Sequence, residues 1–302
     1  MDSLTPTPAP TRDAALAARY ASARPVVGPW NETLEVLLSH RSVRGYRPDP
    51  VPAGTLETLI AAAQSAATSS NIQAWSAVVV SDPATRRELA TIAGGQKHIE
   101  QCPLFIAWVA DLARNERIGT GATTTLETLP WLETFLVAAV DTALAAQNAV
   151  VAAESLGLST VYIGAMRNDP LRVAELLGLP PRAFVAFGLC VGYAAPGAEG
   201  EVKPRLPQEA VLHHERYDAD AAPARLSTYD SDMAAFNRRQ RLPAASWTAR
   251  MLDRMGPLKS MNGRERLRAA LARLGFDIRW PARGSDRQPP PTMSRSSVCR
   301  SG

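Results

Sequence analysis

The stretch from Trp131 to Leu156 constrains this chain more than any other. It reads as the longest helix, apolar over most of its circumference, with Gly157 as the C-cap that ends it. Its stripe of Leu136, Val140, Ala143, Gln147, Val150 and Val151 predicts burial on more than one side, so other elements must be built around this rod. Directly after it, Thr160-Val161-Tyr162-Ile163 reads as a strand, and Gly164 stands where backbone can approach a neighbour closely.

The elements around the rod follow from local chemistry. Asn31 is an N-cap, with Glu32 in the first turn and Leu34, Leu37 and Leu38 behind it, for a helix ending near His40. Leu56, Leu59, Ile60 and Ala63 recur at helical spacing. Asp82-Pro83 and Asp169-Pro170 each pair a cap with a first-turn proline, and Gly178 closes the second of those helices. Ala77–Val80, Leu104–Val109 and Phe184–Val191 are apolar runs of strand length. Residues 114–130, rich in Thr and Gly, read as a mobile loop or a loosely held helical excursion. Helices are expected near Tyr229–Phe236 and Arg264–Leu274. Residues 1–30, opening on Thr5-Pro6-Thr7-Pro8, read as a partly disordered extension that could hold a short helix over Asp13–Tyr20. Residues 31–281 form the domain, and 282–302 read as a disordered, low-complexity tail.

Of the 302 residues 46% are apolar, enough for a large core. No run approaches the roughly 18 apolar residues of a membrane span, and no secretory signal opens the chain. Cys102, Cys190 and Cys299 lie far apart, which predicts thiols in a reducing cytoplasm rather than disulfides or a metal site. The net charge of +4 is modest, and aromatic residues do not interleave with the basic ones, which argues against nucleic acid. No Gly-x-Gly-x-x-Gly follows a strand, so a Rossmann dinucleotide domain is not supported.

Four separated segments carry the chemistry, with Gln96 between them. His40-Arg41-Ser42-Val43-Arg44 places cations and a hydroxyl at a helix end, and Lys203-Pro204-Arg205-Leu206-Pro207 adds a second basic point. Forked guanidiniums and an ammonium suit a phosphate; either segment alone would read as a solvated basic surface. Gln96, in Gly94-Gly95-Gln96-Lys97-His98, offers an amide that both donates and accepts. Thr68-Ser69-Ser70-Asn71 supplies hydroxyls, and Tyr162-Ile163-Gly164 a flat approach for a ring. Together these fit a flavin mononucleotide (FMN): phosphate, polyhydroxyl chain and planar ring.

These segments, with Ala146-Gln147-Asn148-Ala149, Glu154-Ser155-Leu156-Gly157-Leu158 and Arg167-Asn168, resemble the oxygen-insensitive NADPH nitroreductases and NADPH–flavin oxidoreductases from about Asn31 to about Trp280. The resemblance implies an α+β fold with a central mixed β-sheet surrounded by helices, in an intertwined homodimer binding two FMN at its interface. By position it implies that His40, Arg41, Ser42, Arg44, Lys203 and Arg205 hold the phosphate and ribityl end. Thr68, Ser69 and Gln96 would contact the ribityl and ring, and Tyr162, Ile163 and Gly164 would flank the ring. Arg239 or Arg241 would meet the NADPH 2′-phosphate; Ser70, Asn71 and Arg264 would edge the substrate pocket. Ala165 stands where the family tends to have a second glycine, and Asn71 where it has an aromatic. The implied activity is ping-pong, two-electron reduction of nitroaromatics, quinones or related small acceptors by NADPH. A flavin reductase serving a monooxygenase, and a flavin-binding module without turnover, are the alternatives.

Overall fold

The computed structural model describes residues 11–220 and 223–279. The tail expected over 282–302, which holds Cys299, and the first ten residues of the extension lie outside the described residues. The helices are α1 (Arg12–Tyr20), α2 (Glu32–Ser39), α3 (Thr55–Gln64), α4 (Pro83–Ile92), α5 (His98–Gln101) and α6 (Ala113–Gly121). They continue with α7 (Leu132–Ser155), α8 (Pro170–Leu176), α9 (Pro223–Arg239), α10 (Trp247–Met255) and α11 (Leu267–Arg273). The strands are β1 (Trp75–Val79), β2 (Leu104–Asp111), β3 (Ser159–Ile163) and β4 (Ala183–Gly192), in the order β1-β2-β4-β3.

The class is α+β, as expected, and all three strand pairings are antiparallel. The sheet is therefore not the mixed one expected; among the described residues parallel pairing occurs only at isolated bridges, Ser42 with Thr160 at the edge of β3 and Trp131 with Arg279 away from the four strands. Alternation along β2 divides the core. Phe105, Ala107 and Val109 pack with Leu89, Ile99, Met166 and Cys190 on the α4–α5 side. Leu104, Ile106 and Trp108 pack with Leu59, Ala145, Ala149 and Leu189 on the α3–α7 side.

The expected caps form. Asn31 accepts from the Leu34 amide at 3.2 Å, Asp82 from Thr85 at 2.8 Å and Asp169 from Arg172 at 3.1 Å. Gly157 and Gly178 take left-handed φ values of 75° and 61° just past α7 and α8. The stretch expected to be a loop or loose helical excursion holds α6, and α10 has no counterpart in the sequence reading. Residues 12–20 form α1, capped by Thr11.

The rod α7 differs from expectation in which face it buries. Ala138, Asp141, Thr142, Ala145, Ala146, Ala149, Val150 and Ala153 face the core. Of the predicted stripe only Val150 is buried. Leu136 is 47% and Val140 55% exposed, Ala143 and Gln147 are exposed too, and Leu144 beside them is 42% exposed. By length and composition α7 could cross a membrane; here one face of it is the core of a domain, and its buried Asp141 bonds to the Thr68 turn.

Candidate functional site

The first basic segment leaves α2 at His40, whose backbone turns extended (φ −48°, ψ 132°). Ser42 bridges to Thr160, and the Val43 amide donates to the Thr160 carbonyl at 3.0 Å, so the segment lies along the edge of β3. Val43 is buried, and its carbonyl accepts from the Tyr46 hydroxyl at 2.9 Å. Gly45 permits the next contact: a Cβ there would stand 2.8 Å from the Ala198 methyl. These anchors fix the backbone that carries Arg41 and Arg44.

The second basic segment is held by Pro204, buried, whose carbonyl accepts from the Tyr229 hydroxyl of α9 at 3.1 Å. His40, Arg41, Ser42, Arg44, Lys203 and Arg205 all line one cavity of about 280 Å³, closed on the α9 side by Phe236 and Gln240. Lys203 Nζ stands 5.7 Å from the Phe236 ring centroid. Desolvation, then the charges of Arg44, Arg250 and Arg205, push the Lys203 ammonium below its ordinary value. Mutual repulsion of that kind is relieved by an anion. Two acids sit at the rim: Glu199, 3.7 Å from Arg41, and Glu201, paired with Arg239 at 2.9 Å.

Glu154, near the end of α7, buttresses the cavity from behind. One of its oxygens lies 2.7 Å from His40 Nδ1 and accepts from the Thr160 hydroxyl at 2.9 Å. A carboxylate only accepts, so Nδ1 carries the proton and the ring is held in one orientation.

The ring-binding candidates lie at the end of β3. Tyr162 sets its ring edge-on to Phe187 at 5.0 Å, and its hydroxyl lies 3.4 Å from Gln147 Oε1. Ile163 is buried. Gly164 opens a short turn to Asn168, and a Cβ on it would lie 3.2 Å from the Arg167 guanidinium. That guanidinium donates to the Ala186 carbonyl. Its pKa is lowered by burial, then by Arg264 and Arg254. Arg264 donates to Asn168 Oδ1 at 2.9 Å, which brings it to this turn. Asn168 also donates to the Ile92 carbonyl at 3.0 Å, at the end of α4. The left-handed pair Gly94 and Gly95 follows α4 and presents Gln96, whose amide donates to the Ala93 carbonyl at 2.8 Å.

Thr68 and Ser69 do not join the basic cavity. Asp141 of α7 takes the Thr68 hydroxyl at 2.6 Å and the Ser69 and Ala74 amides at 3.1 Å each. Ser70 and Asn71 follow in left-handed backbone, both exposed. Of the two arginines for the 2′-phosphate, Arg239 is taken by Glu201. Arg241 has no ion pair among the described residues, and Leu242 beside it lines the basic cavity.

Comparison with known proteins supplies the family. The nitroreductase family model matches residues 37–193, and its C-terminal domain model matches 203–279. The chain belongs to the nitroreductase family. It is 40% identical over 211 residues to a Bacillus subtilis FMN reductase (NADPH), covering 69% of this chain and 84% of the relative. It is 41% identical over 204 residues to an oxygen-insensitive NADPH nitroreductase of Salmonella typhimurium, covering 68% and 82%. The solved structure of NfrA2 from B. megaterium superposes with a TM-score of 0.78 at 36% identity, covering 83% of this chain and all of that one.

Both basic segments fall inside the nitroreductase matches, and α1 falls outside them. Sequence reasoning gives no role to Glu154, Asp141 or Arg254. Asp141 does carry a signal, as a lone carboxylate in the middle of an apolar helix, where a buried charge needs partners. Arg254 lies on α10, the helix without a counterpart in the sequence reading.

Proposed function

We propose that this chain is an FMN-dependent enzyme that oxidises NADPH and passes two electrons to small acceptors such as nitroaromatics or quinones. The observation that carries the reading is the 280 Å³ cavity on which His40, Arg41, Arg44, Lys203 and Arg205 converge. Its mutually repelling cations fit a phosphate dianion, and the Gly164 turn with the Gln96 amide fits a flat polar ring. When bound, FMN supplies the redox chemistry, so no side chain need act as a nucleophile.

The chain's own residues bind and orient. Arg41, Arg44, Lys203 and Arg205 neutralise the phosphate, and Ser42 offers a hydroxyl beside it. Glu154 holds His40 in a fixed pose. The end of β3, where Tyr162 and Ile163 turn their side chains to opposite faces of the sheet, would flank the ring with its backbone beside Gly164, and the cations Arg167 and Arg264 would give the ring edge a positive potential. Donor and acceptor occupy one site in turn, which gives ping-pong kinetics. Arg241, unpaired by acid among the described residues, meets the NADPH 2′-phosphate in preference to Arg239.

The working form is a homodimer. Leu136, Val140 and Leu144 leave an apolar stripe uncovered along α7, and a second copy, bringing the same stripe across a two-fold axis, covers both at once. In that assembly Thr68 and Ser69, which miss the cavity of their own chain, face the flavin of the other protomer. The buried free thiols Cys102 and Cys190 fit a reducing cytoplasm.

The test is the purified chain with FMN, mixed with NADPH and then with nitrofurazone, a quinone or free FMN. Bleaching by NADPH followed by recovery with an acceptor is expected; a chain that stays colourless with FMN, or yellow with NADPH, overturns the reading. The likeness to the FMN reductase gives weight to free FMN as the acceptor, and the relative rates with the three acceptors decide. In the same assay Arg241→Ala should raise KM for NADPH about tenfold, with little change for NADH; equal effects on both would return the role to Arg239.

A further inference from the structure

α1 belongs to neither family match, yet its one buried charge sits directly behind the basic cavity. Arg19 is only 5% exposed. Its Nε and Nη2 donate to the Leu38 carbonyl at 3.1 and 2.7 Å, Nη2 also to the His40 carbonyl at 2.7 Å, and Nη1 to the Lys203 carbonyl at 2.9 Å. In return the Arg19 carbonyl accepts from the Arg205 amide at 2.9 Å.

These contacts join the two segments that carry every phosphate-binding candidate. One of them is the C-terminal end of α2, whose last carbonyls have no partner within the helix. The other is the Lys203–Arg205 backbone. A guanidinium reaches both at once because its three nitrogens form a planar fork; an ammonium, with all its donors on one nitrogen, cannot reproduce that spread. One further contact brings α1 to the third wall. Ser22, just past the helix, meets Asp232 on α9 at 2.5 Å through its hydroxyl, and α9 carries Phe236. Ala15 and Leu16 are buried and seat the helix.

The position is electrostatically costly without a ligand. Burial, and then the charge of Arg205, lower the Arg19 pKa to about 10. An anion in the cavity would offset that repulsion.

We propose that Arg19 is a positioning residue for the FMN phosphate: from outside the family domain it sets the spacing of the His40–Arg44 and Lys203–Arg205 segments. This rests on the flavin reading above. Its role differs from that of an ordinary structural arginine in one measurable respect. It acts on the phosphate end and not on the ring.

The experiment uses the full chain stripped of flavin, titrated separately with FMN and with riboflavin, which lacks the phosphate, by flavin fluorescence. Arg19→Ala is expected to raise the Kd for FMN roughly tenfold or more, as for loss of a charge-assisted contact, and that for riboflavin less than about twofold. Arg19→Lys, which keeps the charge and loses the fork, should fall between. A ratio of FMN to riboflavin affinity unchanged from the original chain would overturn the proposal, since a merely structural role shifts both ligands together. If Arg19→Ala does not fold, Arg19→Lys is judged on the same ratio. An original chain that binds neither flavin brings down both readings; one that binds FMN tightly while the ratio stays flat removes only the role of Arg19.

Discussion

The two ends of the candidate flavin site are built in different ways. The phosphate end is complete within one chain: two basic segments, a buttressing Glu154 and an aromatic from α9 enclose a cavity. The ring end is open. The candidates Gly164 and Gln96 lie on separate turns, Gln96 bonded to the Ala93 carbonyl, and Thr68 and Ser69 are fixed to α7 by Asp141, beside an uncovered apolar stripe. Charge recognition needs short, rigid distances, which one fold can hold. A ring that must admit donor and acceptor in turn needs an accessible face, and the boundary of the proposed dimer would provide one. Flavin retention should therefore depend on two separable things, local cations and assembly.

That separation is most open to attack at α7. Val140→Glu with Leu144→Glu puts two carboxylates per protomer into the face of the proposed dimer, where they would lose solvation without a cationic partner. Light scattering should report monomer in place of dimer, and the flavin affinity measured after gel filtration should fall about a hundredfold, the scale of losing several desolvated contacts together. Full flavin retention by a monomer would mean that the ring end needs no second copy.

A smaller effect is expected at Asp141, which is 2% exposed and accepts three hydrogen bonds from the Thr68–Ala74 turn. Asp141→Asn exchanges an acceptor for a donor there and leaves an amide or hydroxyl without a partner, at about 1–3 kcal/mol. A melting point lower by several degrees is expected, with flavin affinity reduced equally for FMN and riboflavin. A loss confined to FMN would show the two ends to be coupled.

What can be read in the sequence follows the range of the forces involved. The caps at Asn31, Asp82 and Asp169 bond within three residues, so their signals are local and the structure repeats them. The apolar runs of β2 and β4 are readable because a buried strand needs little else. The basic segments are readable as chemistry, though far apart in the chain, because a phosphate asks for a known set of donors. Arg19 is not readable. Its partners are carbonyls, which every residue has, at separations of 19, 21 and 184 positions. The stripe of α7 misleads for a related reason: apolar periodicity marks a face as apolar, not which elements cover it, and Leu136 and Val140 stay exposed in the single chain. α10 does carry a signal, with Trp247, Met251, Leu252 and Met255 at helical spacing behind a Ser246 cap that accepts from the Ala249 amide at 3.1 Å; what the spacing does not tell is that Leu252 and Met255 remain exposed.

The smallest effect is the most diagnostic of the phosphate end. The Lys203 ammonium is lowered by desolvation and by Arg44, Arg250 and Arg205, so in the flavin-free chain it loses its proton at a lower pH than an ordinary lysine. Between that pH and the ordinary lysine value the unfolded chain binds more protons than the folded one, so stability of the flavin-free protein rises with pH. FMN affinity moves the opposite way, because deprotonation removes one cation from the phosphate. Titrations from about pH 7 to about pH 9, short of the range in which Arg19 loses its proton, should therefore show FMN binding weakening while riboflavin binding stays level and the flavin-free melting point rises slightly. Lys203→Arg, which stays charged throughout, should flatten the FMN curve. If the curve is unchanged by that substitution, Lys203 is not a phosphate ligand.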